Sequence, residues 1–214
     1  MEVTYLSHFI ERKTPLYGGN KGLINFNNFQ SISNGDTSNS LKICMPNHVG
    51  THIDFPRHFN NKAKSSSDYP ASFWIFQNVG FIHCNVDQIE SFIEELDLNI
   101  EILILKTDFG LKRTHDDYIF KQPVIKSSLA TIFKKRFKKL RVFGFDMISL
   151  TSKIDREEGK RAHLNFLIEN EILILEDMKL DMLDKKPDKV IILPLQLLDV
   201  DGSPCNVICI NETK

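Results

Sequence analysis

Cysteine is scarce in this sequence, and its spacing does not suit disulfide or zinc-ribbon chemistry. The four cysteines, Cys44, Cys84, Cys205 and Cys209, are scattered along the chain and form no CxxC pair. This pattern argues against a zinc ribbon or a dense disulfide framework. We predict reduced thiols, with Cys205 and Cys209 acting as small apolar residues on one face of a strand.

Strong charge and long apolar runs are also missing. The formal net charge is -1 over 214 residues, which argues against a surface built to attract nucleic acid or acidic lipid. No run approaches the roughly 18 apolar residues of a membrane span, and MEVTYLSHFIERK lacks the pattern of a secretory signal. We expect a cytoplasmic protein that binds a small molecule and neither nucleic acid nor membrane.

The sequence does contain an alternation of short apolar runs and amphipathic segments, which is typical of an α/β domain. Buried strands are predicted over residues 79–86, 101–107, 141–148, 171–176, 189–198 and 204–210. Helices are predicted over residues 87–96, 126–139 and 155–170. The first 55 residues are predicted to be β-rich, with a tight hairpin turn at Asn34-Gly35. We expect one domain over residues 1–214, with a β-rich first third followed by alternating strands and helices.

The segment HVGTHIDFPRHF, residues 48–59, concentrates candidate metal ligands. It holds three of the seven histidines of the chain, together with Asp54. Proline inside a helix costs about 3 kcal/mol, so Pro46 and Pro56 predict an extended or looped segment. The His-Glu-x-x-His motif of metalloprotease helices is absent.

An extended backbone places these ligands together. His52 and Asp54 are two residues apart and point to the same side, and Gly50 permits a bend that brings His48 alongside. Imidazole and carboxylate ligands suit zinc, manganese or iron(II), and three protein ligands leave a position for water. A single histidine in such a run is more often an ordinary hydrogen-bonded group, but the concentration of ligands favours a catalytic metal site.

The same twelve residues resemble the HxGTHxDxPxHF signature of the cyclase superfamily, which includes bacterial kynurenine formamidases and isatin hydrolases. Every signature position matches. TPLYGG near the start and LPLQLLDVDGSP near the end also look like family segments. The resemblance implies a swivelling β/β/α fold and a metal centre that activates water to open an amide or lactam-type bond.

The resemblance also implies roles for single residues. In the signature, His48, His52 and Asp54 match the metal ligands of the family. His58 matches the catalytic histidine of the family, which shuttles protons. Further along, His163 and Glu176 look like the pair that completes a two-metal site, although their separation of thirteen positions is one more than we expect for the family. We therefore expect one or two divalent ions per subunit, zinc or manganese.

The function that follows is a metal-dependent hydrolase of an N-formyl aryl amine or a lactam-like compound. One alternative is a cyclase or dehydratase that uses the same metal as a Lewis acid. Another is a metal-dependent binding protein without turnover. His58 favours an enzyme, because a binder has little need for a proton-transfer group beside an open metal position. Family members commonly assemble, so we also expect a homodimer or higher homo-oligomer.

Overall fold

The computed structural model describes residues 1–212. In this range the strands are β1 Glu2–Tyr5, β2 Asn25–Gln30, β3 Ser40–Cys44, β4 His52–Asp54, β5 Ile75–Phe76, β6 Val79–His83, β7 Ile102–Lys106, β8 Val142–Phe145, β9 Leu173–Glu176, β10 Lys189–Pro194 and β11 Gly202–Asn211. The α-helices are α1 Ile89–Ile93, α2 Asp116–Phe120, α3 Ser128–Arg136 and α4 Arg156–His163, and a π-helical turn over Leu164–Glu169 continues α4. None of these helices has the length and apolar composition needed to cross a membrane.

One mixed sheet carries most of these strands. Strands β6, β7, β8 and β9 are parallel neighbours in that order. On the other side of β9 the sheet continues through β4, β11, β10 and β5, and these pairings are antiparallel. Strand β1 also pairs with β11, while β2 and β3 form a separate hairpin. Residues Ile102 to Leu105 of β7 are all fully buried, as expected for a parallel strand covered on both faces.

The predicted α/β architecture with a β-rich first third is confirmed, and the differences lie in the element bounds. The strand predicted over 189–198 ends at Pro194, because the chain then turns and the Leu197 N–H donates to the Leu195 carbonyl. The first two predicted helices are shorter than expected, whereas the third, predicted over 155–170, is matched by α4 and its π-helical continuation over residues 156–169. In the first, for example, only Ile89–Ile93 is α-helical.

The tight turn predicted at Asn34-Gly35 is wrong. Strands β2 and β3 do form a hairpin, but the pairing closes between Gln30 and Ser40, which leaves a nine-residue loop. A 3-10 turn occupies Ile32–Asn34 and is followed by Gly35 in the left-handed region. The Asp36 carboxylate accepts a hydrogen bond from the Ser31 N–H, so side-chain interactions stabilise a wider turn than the Asn-Gly pair alone predicts.

Strand β4 is the element that positions the candidate site. It lies between β9 and β11, and its first residue, His52, pairs with Glu176 at the end of β9. Asp54 at its other end pairs with Gly202 at the start of β11. This register brings the signature segment, the end of β9 and the turn before β11 to one place.

Candidate metal centre

The signature segment folds back on itself through one glycine. Gly50 has a φ of 59°, a conformation that L side chains rarely adopt. This bend places Nδ1 of His48 2.9 Å from Oδ1 of Asp54. His52 Nε2 lies 3.5 Å from the same oxygen, so the expected proximity of these three side chains is observed.

His163 and Glu176 reach the same position from distant parts of the chain. His163, the last residue of α4, places Nε2 3.5 Å from Asp54 Oδ2 and 3.6 Å from Glu176 Oε1. The second oxygen of Glu176 lies 3.4 Å from Nε2 of His52. His52, Asp54, His163 and Glu176 are all buried. The structure thus brings together all five predicted ligands, His48 included.

The spacing of these atoms fits a bound cation. Separations of 3.4–3.6 Å exceed the usual upper limit of about 3.2 Å for a hydrogen bond. Two ligand atoms at about 2.0–2.2 Å from one tetrahedral ion lie about 3.3–3.6 Å apart. The Asp54 and Glu176 carboxylates each direct one oxygen to His52 and the other to His163, so they can serve two adjacent ions.

Hydrogen bonds on the outer side fix the orientation of these ligands. Nδ1 of His52 contacts the Gly50 carbonyl at 2.8 Å, and Nδ1 of His163 contacts the Gly159 carbonyl at 2.9 Å. If each Nδ1 donates its proton there, the Nε2 lone pair is free to bind a metal. The Ser149 hydroxyl donates to Oε1 of Glu176 at 3.1 Å.

His58 lies at the edge of this cluster. One of its ring nitrogens is within 4.8 Å of ligand atoms of both His48 and Asp54. The His58 and His48 rings are 4.2 Å apart between centroids. Nδ1 of His58 is 2.8 Å from Oδ2 of Asp201, and Nε2 of His48 is 3.1 Å from the same oxygen. Asp201 therefore links the candidate catalytic histidine to a candidate ligand.

The electrostatics of the metal-free cluster favour protonated imidazoles. Burial would lower the pKa of His48, but contacts with Asp54 and Asp201 raise it to about 9. Burial likewise opposes the charged form of His163, yet Asp54 and Glu176 raise its pKa to about 10. Against its own burial, the neighbouring histidines hold the pKa of Asp54 well below its usual value. The carboxylates thus make this cluster favourable for positive charge, which a bound cation would also supply.

Sequence reasoning missed two parts of the site. Asp201 lies in the DVDGSP turn that looked like a family segment, but nothing local indicates that it reaches His58. The second part is a buried network in which the Thr51 hydroxyl donates to the Asp177 carbonyl, while Arg113 and Tyr118 donate to the Asp177 carboxylate. This network connects the signature segment to the turn after Glu176 by hydrogen bonds, and no sequence motif predicts it.

The candidate ligands open onto a cavity of about 690 Å³. Apolar side chains form part of its wall, among them Leu16, Leu23, Phe59 and Ile148. Arg156, Glu157 and Lys160 of α4 add charge near the opening. A cavity of this size suits a small molecule with an apolar body and a polar group directed at the ligands.

The chain is similar to known proteins over most of its length. The family profile described as "Putative cyclase" matches residues 4–152. A kynurenine formamidase of Bacillus mycoides (strain KBAB4) is 31% identical over 181 residues, which is 83% of each chain.

Solved structures show the same fold at lower identity. Isatin hydrolase A from Labrenzia aggregata, bound to benzyl benzoate, superposes with a TM-score of 0.82 at 18% identity, covering 97% of this chain and 92% of that one. A structure described as a potential metal-dependent hydrolase with cyclase activity gives a TM-score of 0.75 at 18% identity, covering 97% and 96%.

Proposed function

The chain belongs to the cyclase family, and we propose that it is a metal-dependent hydrolase of a small amide, an N-formyl aryl amine or a lactam-like compound. The observation that carries the proposal is the buried cluster of His52, Asp54, His163 and Glu176, whose nitrogen and oxygen atoms are spaced like ligands around a cation. The amide class is supported by the kynurenine formamidase relative.

The residues that would hold the metal are His48, His52, Asp54, His163 and Glu176. When bound, a divalent cation supplies an acidified water and polarises an amide carbonyl. The mixed nitrogen and oxygen donors suit zinc or manganese. The two carboxylates, each facing two histidines, support a site for two ions.

His58 is proposed to move the proton. Its Nδ1 faces Asp201, and a proton donated there leaves Nε2 as the base. The exposed ring of His58 lines the cavity, where this nitrogen can reach a substrate. Such a base takes a proton from the attacking water and returns it to the departing nitrogen.

The test is a reconstitution assay. Chelator-treated protein receives zinc or manganese and is mixed with N-formylkynurenine, other N-formyl aryl amines and lactams, and released formate or opened ring is measured. The His58→Ala variant should keep its metal and lose turnover. The control is His115→Ala, which removes an exposed histidine at the start of α2.

The outcomes separate the proposal from its alternatives. No turnover across the panel, with tight metal binding retained, would favour a metal-dependent binding protein. Ring closure or loss of water in place of hydrolysis would favour the cyclase or dehydratase. Full activity of His58→Ala would remove that residue from the mechanism.

We also propose that the protein forms a homodimer or a higher homo-oligomer. The β2–β3 hairpin exposes large apolar side chains, with Phe29 at 74%, Leu41 at 55% and Ile43 at 54% of full exposure. Clustered apolar exposure is a feature of protein interfaces. Light scattering coupled to size-exclusion chromatography tests this, and a monomer mass at micromolar concentration would contradict it.

A further inference from the structure

Helix α4 carries a row of basic side chains toward the candidate metal centre. Arg156, Lys160 and His163 are spaced by four and three residues, so they share one face of the helix. All three line the cavity. At about 1.5 Å per residue, Lys160 lies about 4.5 Å and Arg156 about 10 Å along the axis from His163. This face therefore leads from the opening of the cavity to the ligands.

The two basic side chains of this face have no acidic partner. Among residues 1–212, neither Arg156 nor Lys160 forms an ion pair with a carboxylate, whereas Arg113 and Arg161 each form one. Arg161, the next residue on the helix, differs because its Nε donates to Glu158 at 2.8 Å. Glu157 also lines the cavity but does not pair with either residue. The face thus presents unpaired positive charge to the cavity.

Tyr17 adds a hydroxyl group beside Arg156 at the same place. Its hydroxyl is buried and makes no hydrogen bond of normal geometry in the described part of the chain. Its ring lines the cavity, and Lys153 Nζ lies 4.6 Å from the ring centroid. Burial raises the pKa of Tyr17, while the charge of Arg156 and the contact between its guanidinium and the Tyr17 hydroxyl oppose the rise. The guanidinium of Arg156 can only donate to the phenol oxygen, so the hydroxyl proton of Tyr17 is available to a ligand oxygen.

We propose that Arg156, Lys160 and Tyr17 form a subsite for a carboxylate of the substrate, so that the amide opened at the metal centre belongs to an anionic molecule. The inference rests on the proposed function and deepens it. Two cations and a hydroxyl donor match the oxygen atoms of a carboxylate. The apolar wall between the subsite and the ligands, which includes Leu23 and Phe59, suits an aryl or alkyl body joining the two groups.

The test compares two substrates that differ at a single substituent of the ring. 3-Formamidobenzoate carries the carboxylate, and 3-formamidobenzamide replaces it with an uncharged amide of similar shape. The metal-loaded protein should hydrolyse the acid about tenfold more efficiently, because hydrogen bonds to charged groups have about that effect. Lys160→Gln and Arg156→Gln should each lower kcat/KM for the acid about tenfold, mainly through KM, and change the benzamide by less than about twofold.

Arg161→Gln is the matched control, because it removes the same charge from the neighbouring position. Its side chain is paired with Glu158 and does not line the cavity. Equal losses for the acid and the benzamide, or an equal loss in Arg161→Gln, would overturn the subsite. A hydrolase with no preference for the acid would overturn it as well, while the proposed function would stand.

A binding measurement separates the two proposals. Calorimetric titration of 3-formamidobenzoate into the His58→Ala protein measures affinity without turnover. If wild-type protein hydrolyses neither these two compounds nor any member of the wider panel, weaker binding in the Lys160→Gln background but not in the Arg161→Gln background supports the subsite and rejects the proposed function. Absence of binding, or binding unaffected by Lys160→Gln, overturns the subsite.

Discussion

Replacing Asp201 with asparagine tests how His58 is prepared for proton transfer. In the structure, Oδ2 of Asp201 is 2.8 Å from Nδ1 of His58. A carboxylate there can only accept, so it selects the tautomer with the proton on Nδ1 and the lone pair on Nε2. An asparagine amide can instead donate to Nδ1, which places the imidazole proton on the wrong nitrogen.

The expected magnitude follows from the exposure of this pair. A hydrogen bond to a charged group contributes about 1.5–3 kcal/mol to the free energy of unfolding. The side chain of Asp201 is 39% exposed and that of His58 is 32% exposed. Because solvent screens this pair, we expect it to contribute only about 1 kcal/mol. General acid–base catalysis contributes about 10²–10⁴ in rate. We expect kcat of Asp201→Asn to fall about 10²-fold, near the lower end of that range. Because the pair is partly exposed to solvent, a fraction of the variant molecules can still hold His58 with its proton on Nδ1.

The assay measures kcat, bound metal and thermal midpoint for each protein. Asp199→Asn is the control, since Asp199 lies two residues earlier, accepts a hydrogen bond from Ser67 and does not contact a histidine in the described residues. Wild-type turnover in Asp201→Asn would refute the reasoning. A parallel loss of metal would show that Asp201 acts through His48, whose Nε2 it also contacts.

Asp54→Asn should reduce the bound divalent metal to near zero, because the Asp54 oxygens face both His52 and His163. Elemental analysis measures the bound metal, and retention of stoichiometric metal would contradict the site. In the metal-free protein the raised pKa values of His48, about 9, and His163, about 10, mean that both are protonated at neutral pH. Metal affinity should therefore rise with pH by about tenfold per pH unit for each proton displaced, with two protons displaced below about pH 9 and one between about pH 9 and 10. Affinity that is flat between about pH 6.5 and 8 would reject this competition. Gly202→Ala should lower metal occupancy, since a Cβ would lie 2.7 Å from Nδ1 of His48 and must displace that ring; unchanged occupancy would show that the ring can move without cost.

Local pattern was sufficient for the strands and for the proximity of the first three candidate ligands. Runs such as EILILKT and EILILE are buried strands, because a sheet covered on both faces selects consecutive apolar residues. His52 and Asp54 share a face of β4 because side chains alternate along a strand. Gly50 supplies the bend that was expected of it. Each of these features depends on residues a few positions apart.

Other features were beyond such reasoning. The Asn34-Gly35 pair favours a tight turn, yet Asp36 and the strand register select a longer loop. The helical period places Arg156 and Lys160 on the face of His163, but it does not reveal that this face lines a cavity. Asp201 is separated from its partner His58 by 143 positions, and no periodicity extends over such a distance.

The sequence by itself therefore determined the ligand types, their local geometry and the alternation of strands and helices. Tertiary structure alone decided which distant groups lie beside these candidate ligands. The pairing of β4 with β9 brings Glu176 there, and the turn before β11 brings Asp201. The basic face of α4 lies beside the same cavity. The physical reason is that side-chain direction follows from backbone geometry over a few residues. Contacts between distant segments are chosen by the burial of apolar surface over the whole domain.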